Sequence, residues 1–91
     1  MLDEISIEFE NNGVISPKEV SREVLSKGAW STIMFLYQDY DYKKEEYGEL
    51  KVSIRRYQKK SGKYIQQSKF NISSAKQAGK IIDALKGWYE V

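Results

Sequence analysis

A chain of 91 residues, 41% of them apolar and 31% charged, has room for one small folded domain and not for a second, catalytic one. It contains no cysteine and no histidine, which excludes disulfides and the usual zinc sites and removes the residue most used for proton transfer near neutral pH. Residues 1–50 carry 5 basic and 11 acidic side chains, whereas residues 51–91 carry 10 basic and 2 acidic ones. We therefore expect no enzyme, no cofactor and no metal site, and the basic half favours a polyanionic partner.

The sequence gives no sign of a membrane segment or a leader. Residues 33–37 form the longest apolar run, which is far too short to cross a bilayer. The acidic start of the chain lacks the basic and apolar regions of a signal peptide. These features predict a cytoplasmic protein, nucleoid-associated or, if phage-encoded, located in the host cytoplasm.

The N-terminal part of the chain begins with a strand pattern. Residues 2–9 alternate apolar and polar side chains, as a half-buried strand does, and a turn follows. Residues 16–27 give two conflicting signals, because a helix capping box begins at Ser16 whereas the apolar residues after it alternate as in a strand. The local signals favour a helix slightly. We expect residues 1–15 to form an acidic N-terminal arm or extra strand, and residues 16–91 to form the functional domain.

Three further strands are predicted in the middle of the chain. Residues 30–40 are rich in aromatic and β-favouring side chains and are apolar on both faces. Residues 50–58 alternate most clearly, and residues 63–72 follow them after a short turn. In these last two strands the polar face is predicted to carry Lys51, Ser53, Arg55 and Tyr57, then Lys63, Gln67 and Lys69, opposite Val52, Ile54, Phe70 and Ile72.

The last predicted element is an amphipathic helix. Ser73 or Ser74 is its cap, and Ser74 and Gln77 have the spacing of a capping box. The apolar residues that follow recur at helical spacing and offer more surface than one small sheet face covers. This predicts a homodimer with an interface formed by Ile81, Ile82, Leu85, Trp88 and Tyr89.

The polar face of the central strand combines cations, a hydroxyl and an aromatic ring. Single-stranded nucleic acid is bound by such a combination, because Lys and Arg follow the phosphates while flat rings accept stacked bases. The turn after this strand and the loop before it add further cations and an aromatic ring. The predicted nucleic-acid-binding residues are Lys51, Ser53, Arg55, Tyr57, Lys59, Lys63, Gln67, Lys69, Tyr40 and Lys44.

Two other interpretations of this surface stay open. The same residues are also typical of a solvated strand selected for solubility and cross-strand packing. Alternatively, the sheet and helix form a protein-interaction module for an acidic partner, such as polymerase or a replication factor. The acidic arm adds the hypothesis that its carboxylates compete with nucleic acid for the basic sheet.

From Lys27 onward the chain resembles the positive cofactor four type of transcriptional coactivator, including its bacterial and phage relatives. The resemblance is carried by KVSIRRY at residues 51–57, SGK at residues 61–63 and KFNISS at residues 69–74 before the helix. It implies an α+β fold with a curved four-stranded antiparallel sheet followed by one helix, a dimer formed largely through the helix side, and single strands bound across the sheet. It also implies that residues 18–26 are a strand.

The resemblance extends to a few site positions. Arg55 matches the family's basic residue in the central strand, Tyr40 the aromatic residue that closes the preceding strand, and Lys69 a basic residue before the helix. Gln58 is the nearest counterpart of an exposed tryptophan in the family, so base stacking would pass to Tyr57 or Tyr40. The related Whirly and purine-rich-element binding families imply the same ligand class. The expected function is binding of single-stranded DNA, or of RNA, with low sequence specificity in transcription, replication or recombination.

Overall fold

The computed structural model describes residues 2–91 and has an α+β architecture with a four-stranded antiparallel sheet and one C-terminal helix. In chain order the strands are β1 (Glu10–Asn11), β2 (Val14–Ile15), β3 (Lys18–Ser26), β4 (Trp30–Gln38), β5 (Tyr40–Asp41), β6 (Glu46–Tyr47), β7 (Lys51–Lys60) and β8 (Lys63–Ile72), and the helix is α1 (Ala75–Tyr89). The main sheet has the order β3-β4-β7-β8, and the short strands form the hairpins β1-β2 and β5-β6. The predicted sheet and C-terminal helix are thus confirmed.

Residues 18–26 form the edge strand β3, as the resemblance implies and against the local helix signal. Ser16 does not cap a helix, because its Oγ accepts a hydrogen bond from the backbone N–H of Tyr40 at 2.9 Å. The carboxylate of Glu19 instead accepts two hydrogen bonds from Arg22, each at 2.7 Å. Pairing along β4 satisfies the backbone of this segment, and that tertiary contact outweighs a weak local preference.

Residues 2–9, here called the N-terminal segment, do not form the strand that was one of the two predicted alternatives. A 3-10 turn at Leu2–Glu4 is followed by chain that pairs with no strand until β1. The predicted alternation is visible in burial from Ile5 to Glu8, since Ile5 and Ile7 are buried while Ser6 and Glu8 are exposed, and it ends at Phe9, which is 66% exposed. The period-two pattern therefore reports which side chains face the protein, and it does not report sheet pairing.

The main sheet has two unlike faces. In β4, the odd-numbered side chains from Ser31 to Tyr37 are buried and the even-numbered ones between them are half-buried. The register of β4 with β7 places Phe35 opposite Ser53, so odd-numbered residues of both strands share a face. We call this the covered face, formed by Ser31, Ile33, Phe35, Tyr37, Lys51, Ser53, Arg55 and Tyr57. The other is the helix face, formed by Thr32, Met34, Leu36, Val52, Ile54, Arg56, Phe70 and Ile72.

The hydrophobic core lies between the N-terminal segment and the covered face. Ile5 and Ile7 pack there against side chains of β4 and β7, and Leu2 and Tyr64 pack at its margin. Both faces of β4 are apolar in sequence, and this packing identifies the face that the chain itself buries. The buried cluster consists of Ile5, Ile7, Ile33, Phe35, Tyr37 and Tyr57.

Helix α1 begins and ends at well-formed caps. The Oγ of Ser74 accepts a hydrogen bond from the backbone N–H of Gln77 at 3.1 Å, while the side chain of Gln77 accepts one from the backbone N–H of Ser73 at 2.7 Å. Glu90 follows the helix with a φ of 55° and donates its N–H to the carbonyl of Lys86. These contacts confirm Ser74 as the cap and the spacing to Gln77 as a capping pattern.

The helix covers only one end of the helix face. A groove between its first turn and the sheet is lined by Leu36, Val52, Ile72, Ala75 and Ala78. Farther along the helix the apolar stripe is open to solvent, and Trp88 is 78% exposed. No helix within residues 2–91 is long and apolar enough to span a membrane.

Candidate nucleic-acid interface

The four predicted contacts of the central strand do share one face of the sheet. Lys51, Ser53, Arg55 and Tyr57 lie opposite Tyr37, Phe35, Ile33 and Ser31 respectively, all on the covered face. Their exposure differs sharply, because Ser53 is fully buried and Tyr57 is 5% exposed, whereas Arg55 is half-buried and Lys51 is exposed. The prediction placed Tyr57 on an accessible surface, and the N-terminal segment covers it instead.

The buried position of Tyr57 changes its ionisation. Burial raises the pKa of its hydroxyl above the ordinary value, and the nearby Arg55 guanidinium opposes this by favouring the phenolate. Its ring packs in the core with Ile5 and Ile7. A base could stack on this ring only after the N-terminal segment had moved.

Arg55 is a half-buried cation of the covered face. Its Nε donates a hydrogen bond to Ser53 Oγ at 3.2 Å, and its Nη1 donates one to Gln66 Oε1 at 3.4 Å. Both partners are neutral, so the charge of the guanidinium is not compensated by them. In the register of β7 and β8, Arg55 lies directly opposite Lys69. Two like charges therefore face each other across the two strands.

The three predicted contacts of β8 were expected to share one face of the sheet, and they do not. Lys69 lies on the covered face beside Arg55. Gln67 does not lie on this face, because a register shift opposite Arg56 and Tyr57 makes it the extra residue of a β-bulge. Gln66 lies opposite Tyr57 instead. Lys63 pairs with Lys60 at the end of the hairpin and lines a pocket together with Tyr57 and Tyr64. It thus lies at the border of the covered face.

The tip of the β7-β8 hairpin concentrates cations around one ring. Ser61 and Gly62 form a two-residue turn with φ values of 51° and 79°, which glycine adopts without strain. Lys59 lies opposite Tyr64, and its ammonium is 5.7 Å from the centre of that ring. Sequence reasoning did not select Tyr64, although counting outward from the two-residue turn pairs it with Lys59.

Tyr40 and Lys44 belong to a different part of the molecule, the β5-β6 hairpin. The Tyr40 ring contacts the rings of Tyr42 and Tyr47 edge-on, with centroids 5.0 and 5.1 Å apart. Lys44 lies on an exposed turn among acidic residues, and its backbone N–H donates to the carboxylate of Asp41. Tyr40 is therefore a packing residue, and neither residue adjoins the Arg55–Lys69 pair.

Lys51 marks the boundary between these two regions. Its ammonium lies 3.1 Å from a carboxylate oxygen of Asp39, and this ion pair raises the pKa of Lys51. Among residues 2–91 it is the only cation of β7 and β8 with such a partner. The uncompensated charge of the hairpin therefore lies beyond Lys51, at Arg55, Arg56, Lys59, Lys60, Lys63 and Lys69.

Two further arginines have roles that sequence reasoning missed. Arg22 on β3 donates hydrogen bonds to the backbone carbonyls of Leu2 and Ile5, at 3.3 and 2.8 Å, and thereby holds the N-terminal segment on the sheet. Arg56 on the helix face lies over the ring of Trp30, 4.1 Å from its centre. Neither contact is local in sequence, so no spacing rule indicates it.

The described chain has no recognisable metal centre. Within residues 2–91, no three His, Cys, Asp or Glu side chains cluster closely enough to hold a metal ion. Comparison of the chain with protein-family models, with curated proteins and with solved structures found no match. The surface must therefore be interpreted from its own chemistry.

Proposed function

We propose that this protein binds single-stranded DNA, or RNA, with low sequence specificity through the β7-β8 hairpin. The observation that most supports this proposal is the pairing of like charges across these strands, Arg55 with Lys69 and Lys60 with Lys63. Like charges directly opposite each other in an antiparallel pair destabilise the sheet. A polyanion lying along the hairpin would remove this repulsion.

A single strand suits the shape and chemistry of this hairpin. The cations lie along two neighbouring strands and can follow the phosphates of a flexible backbone. Tyr64 is half-buried beside Lys59 and offers part of its ring for stacking, which contributes about 1–3 kcal/mol per base. Contacts to phosphate and to ring faces do not distinguish between sequences, so low specificity follows.

We infer a homodimer from the surface that the single chain leaves open. A compact folded monomer of this mass exposes about 5,500 Å², whereas this chain exposes 6933 Å². Its radius of gyration is 15.1 Å, compared with about 12 Å for a compact chain of this length. A stable dimer needs about 800 Å² from each partner. We place this interface on the helix face and the apolar stripe of α1, with Ile81, Ile82, Leu85, Trp88 and Tyr89 as the proposed interface residues.

The proposed role is coactivator-like and not enzymatic. The order of four antiparallel strands and a C-terminal helix agrees with the resemblance to the positive cofactor four type. In that role the protein would hold or melt strands during transcription, replication or recombination.

The test is fluorescence anisotropy with a labelled oligothymidine of about 20 nucleotides, compared with the equivalent duplex over a salt series. We expect preferential binding of the single strand with a log–log salt slope of about −2 to −4, which three to five phosphate contacts would give. Absence of binding at low salt would overturn the proposal.

A second candidate function has an observation of its own. The N-terminal segment lies on the covered face with Ile5 and Ile7 buried, and its other residues include Asp3, Glu4 and Glu8. A module that binds an acidic protein partner would use the same contacts. The two functions differ in whether isolated DNA binds, which the anisotropy measurement with oligothymidine tests.

A further inference from the structure

The N-terminal segment occupies the sheet face that carries several of the predicted nucleic-acid contacts. Ile5 is 6% exposed and Ile7 is 7% exposed, and both belong to the same cluster as Phe35 and Tyr57. Ser53 is fully buried on this face. As long as the segment stays in place, neither Ser53 nor Tyr57 can contact a nucleic acid.

Apart from the burial of Ile5 and Ile7, the segment is held by few hydrogen bonds and by no strand pairing. Arg22 binds the carbonyl oxygens of Leu2 and Ile5, and a carboxylate oxygen of Glu8 accepts a hydrogen bond from the backbone N–H of Glu19 at 2.9 Å. A strand in a sheet would instead be held by a ladder of backbone hydrogen bonds. Displacement of the segment therefore breaks fewer hydrogen bonds than removal of a strand would, and its main cost is the exposure of Ile5 and Ile7.

The chemistry of the segment resembles that of the proposed ligand. Residues 2–9 carry three carboxylates and no cation. Its isoleucines lie against the aromatic and apolar side chains of the covered face, where bases would stack, and its carboxylates provide negative charge as phosphates would. Both occupants are thus anionic chains with flat or apolar groups at regular spacing.

We propose that the N-terminal segment is a displaceable cover that competes with single-stranded nucleic acid for the covered face. The proposal rests on the proposed function of the β7-β8 hairpin. Lys69, Lys59 and Arg55 are accessible with the segment in place, so they make the first contacts with the strand. The strand then displaces residues 2–9 and reaches Ser53 and Tyr57. Because the strand must displace the segment, the segment lowers the affinity of the protein for single-stranded nucleic acid.

Hydrogen exchange on the full chain tests the displacement directly. Backbone amides of residues 5–9 are compared with and without saturating oligothymidine, and peptides from α1 serve as the internal control. We expect protection of residues 5–9 to fall by about tenfold or more on binding, while protection of α1 does not fall. Unchanged protection of residues 5–9 in a protein saturated with oligonucleotide would overturn the proposal and leave the proposed function standing.

A pair of arginine variants tests the competition through affinity. Arg22→Gln removes the contacts to Leu2 and Ile5, and we expect it to bind oligothymidine about three- to tenfold more tightly although it loses a positive charge. The matched control Arg56→Gln loses the same charge on the helix face and should not bind more tightly. Weaker binding by both variants would overturn the proposal, because it would show that Arg22 acts only as a cation.

A third variant tests the same competition without changing the charge of the protein, and its folding is checked separately. Ile7→Ser weakens the packing of the segment without changing any charge, and a thermal melt checks that it folds. We expect it to bind oligothymidine more tightly than the unaltered chain. If the unaltered chain, Arg22→Gln and Ile7→Ser all fail to bind, the proposed function and the competition both fall. If the unaltered chain binds and folded Ile7→Ser binds no more tightly, only the competition falls.

Discussion

Strand β4 is apolar on both faces in sequence, and the two faces of the main sheet are unequally buried. On the covered face Ile33 and Phe35 are fully buried. On the helix face Met34 and Leu36, their neighbours in the same strand, are only half-buried, and Phe70 is 49% exposed. The molecule is accordingly thin, with a shortest dimension of 17 Å against 45 and 39 Å for the other two.

The difference comes from what lies on each face. Eight residues of the chain itself, the N-terminal segment, complete the core on the covered face. On the helix face α1 contacts the sheet only near its first turns, and its apolar stripe continues into solvent. One face therefore carries a core completed by the chain itself, while the other is largely open to solvent. Four predictions test this contrast.

The largest effect is expected from shortening an isoleucine on each face. Ile33→Ala leaves a cavity in the finished core and should lower the free energy of unfolding by about 2–5 kcal/mol. Ile54→Ala removes a half-buried side chain and should cost about half as much in dilute protein. Urea denaturation at several protein concentrations measures both.

The concentration dependence sharpens this comparison. If a second copy covers the helix face, the cost of Ile54→Ala should rise with protein concentration, because association is linked to folding. The cost of Ile33→Ala should stay constant. Equal and concentration-independent costs would show that the faces do not differ as described.

The next effect concerns the exposed stripe of α1. Leu85→Glu places a charge in the proposed interface and removes about 1.5–3 kcal/mol of apolar burial from the dimer. We expect dimerisation to weaken by about ten- to a hundredfold, as measured by analytical ultracentrifugation. Asp83→Asn is the matched control on the same helix. A strictly monomeric unaltered chain at micromolar concentration would contradict the proposed dimer.

A smaller effect is expected from relieving charge repulsion on the covered face. Lys69→Gln removes the cation opposite Arg55 and should raise the free energy of unfolding by about 0.2–1 kcal/mol. It should also weaken oligothymidine binding and reduce the salt slope by about 0.7, the share of one phosphate. Lys80→Gln, which lies on α1, should change neither quantity in this way. A loss of stability in Lys69→Gln would show that the pair is not repulsive.

The smallest effect is a pH dependence from the buried phenol. Burial raises the pKa of Tyr57 above its ordinary value of 10.0. The folded state thus holds this proton more tightly than the unfolded chain does. The protonated phenol therefore contributes to the free energy of unfolding below the pKa of the unfolded chain, and this contribution is lost as pH rises through the pKa of the folded state. Tyr57→Phe should therefore lose less stability than the unaltered chain between about pH 9 and 11. Tyr42→Phe, at an exposed ring, is the control, and identical urea midpoints for Tyr57→Phe and the unaltered chain across this range would contradict the assignment.

Much of the C-terminal half was predictable because its signals are local. The strand Lys63–Ile72 has the predicted bounds, since the turn at Ser61 and Gly62 sets where both strands of the hairpin end. The helix cap at Ser74 follows from a side chain that bonds three residues ahead. The sharing of one face by Lys51, Ser53, Arg55 and Tyr57 follows from the period of two in any strand.

The errors fall where distant residues decide. Residues 18–26 form β3 because β4 pairs with them. Ser16 does not cap a helix, and its Oγ accepts a hydrogen bond from the backbone N–H of Tyr40. Gln67 leaves the covered face because of a bulge, which shifts the alternation within a single strand. Tyr40 falls out of the site because its neighbours Tyr42 and Tyr47 fold into a hairpin of their own.

The sequence by itself determined the three strands that became β4, β7 and β8 and the C-terminal helix, the division of charge between the two halves, and the sharing of one face by Lys51, Ser53, Arg55 and Tyr57. Each of these depends on backbone periodicity or on charge, which are properties of short segments. Only the tertiary structure decided that residues 2–9 lie on that face under Arg22, and that Tyr57 is therefore buried and Lys69 exposed. Exposure depends on which distant segment covers a face, and no local pattern carries that information.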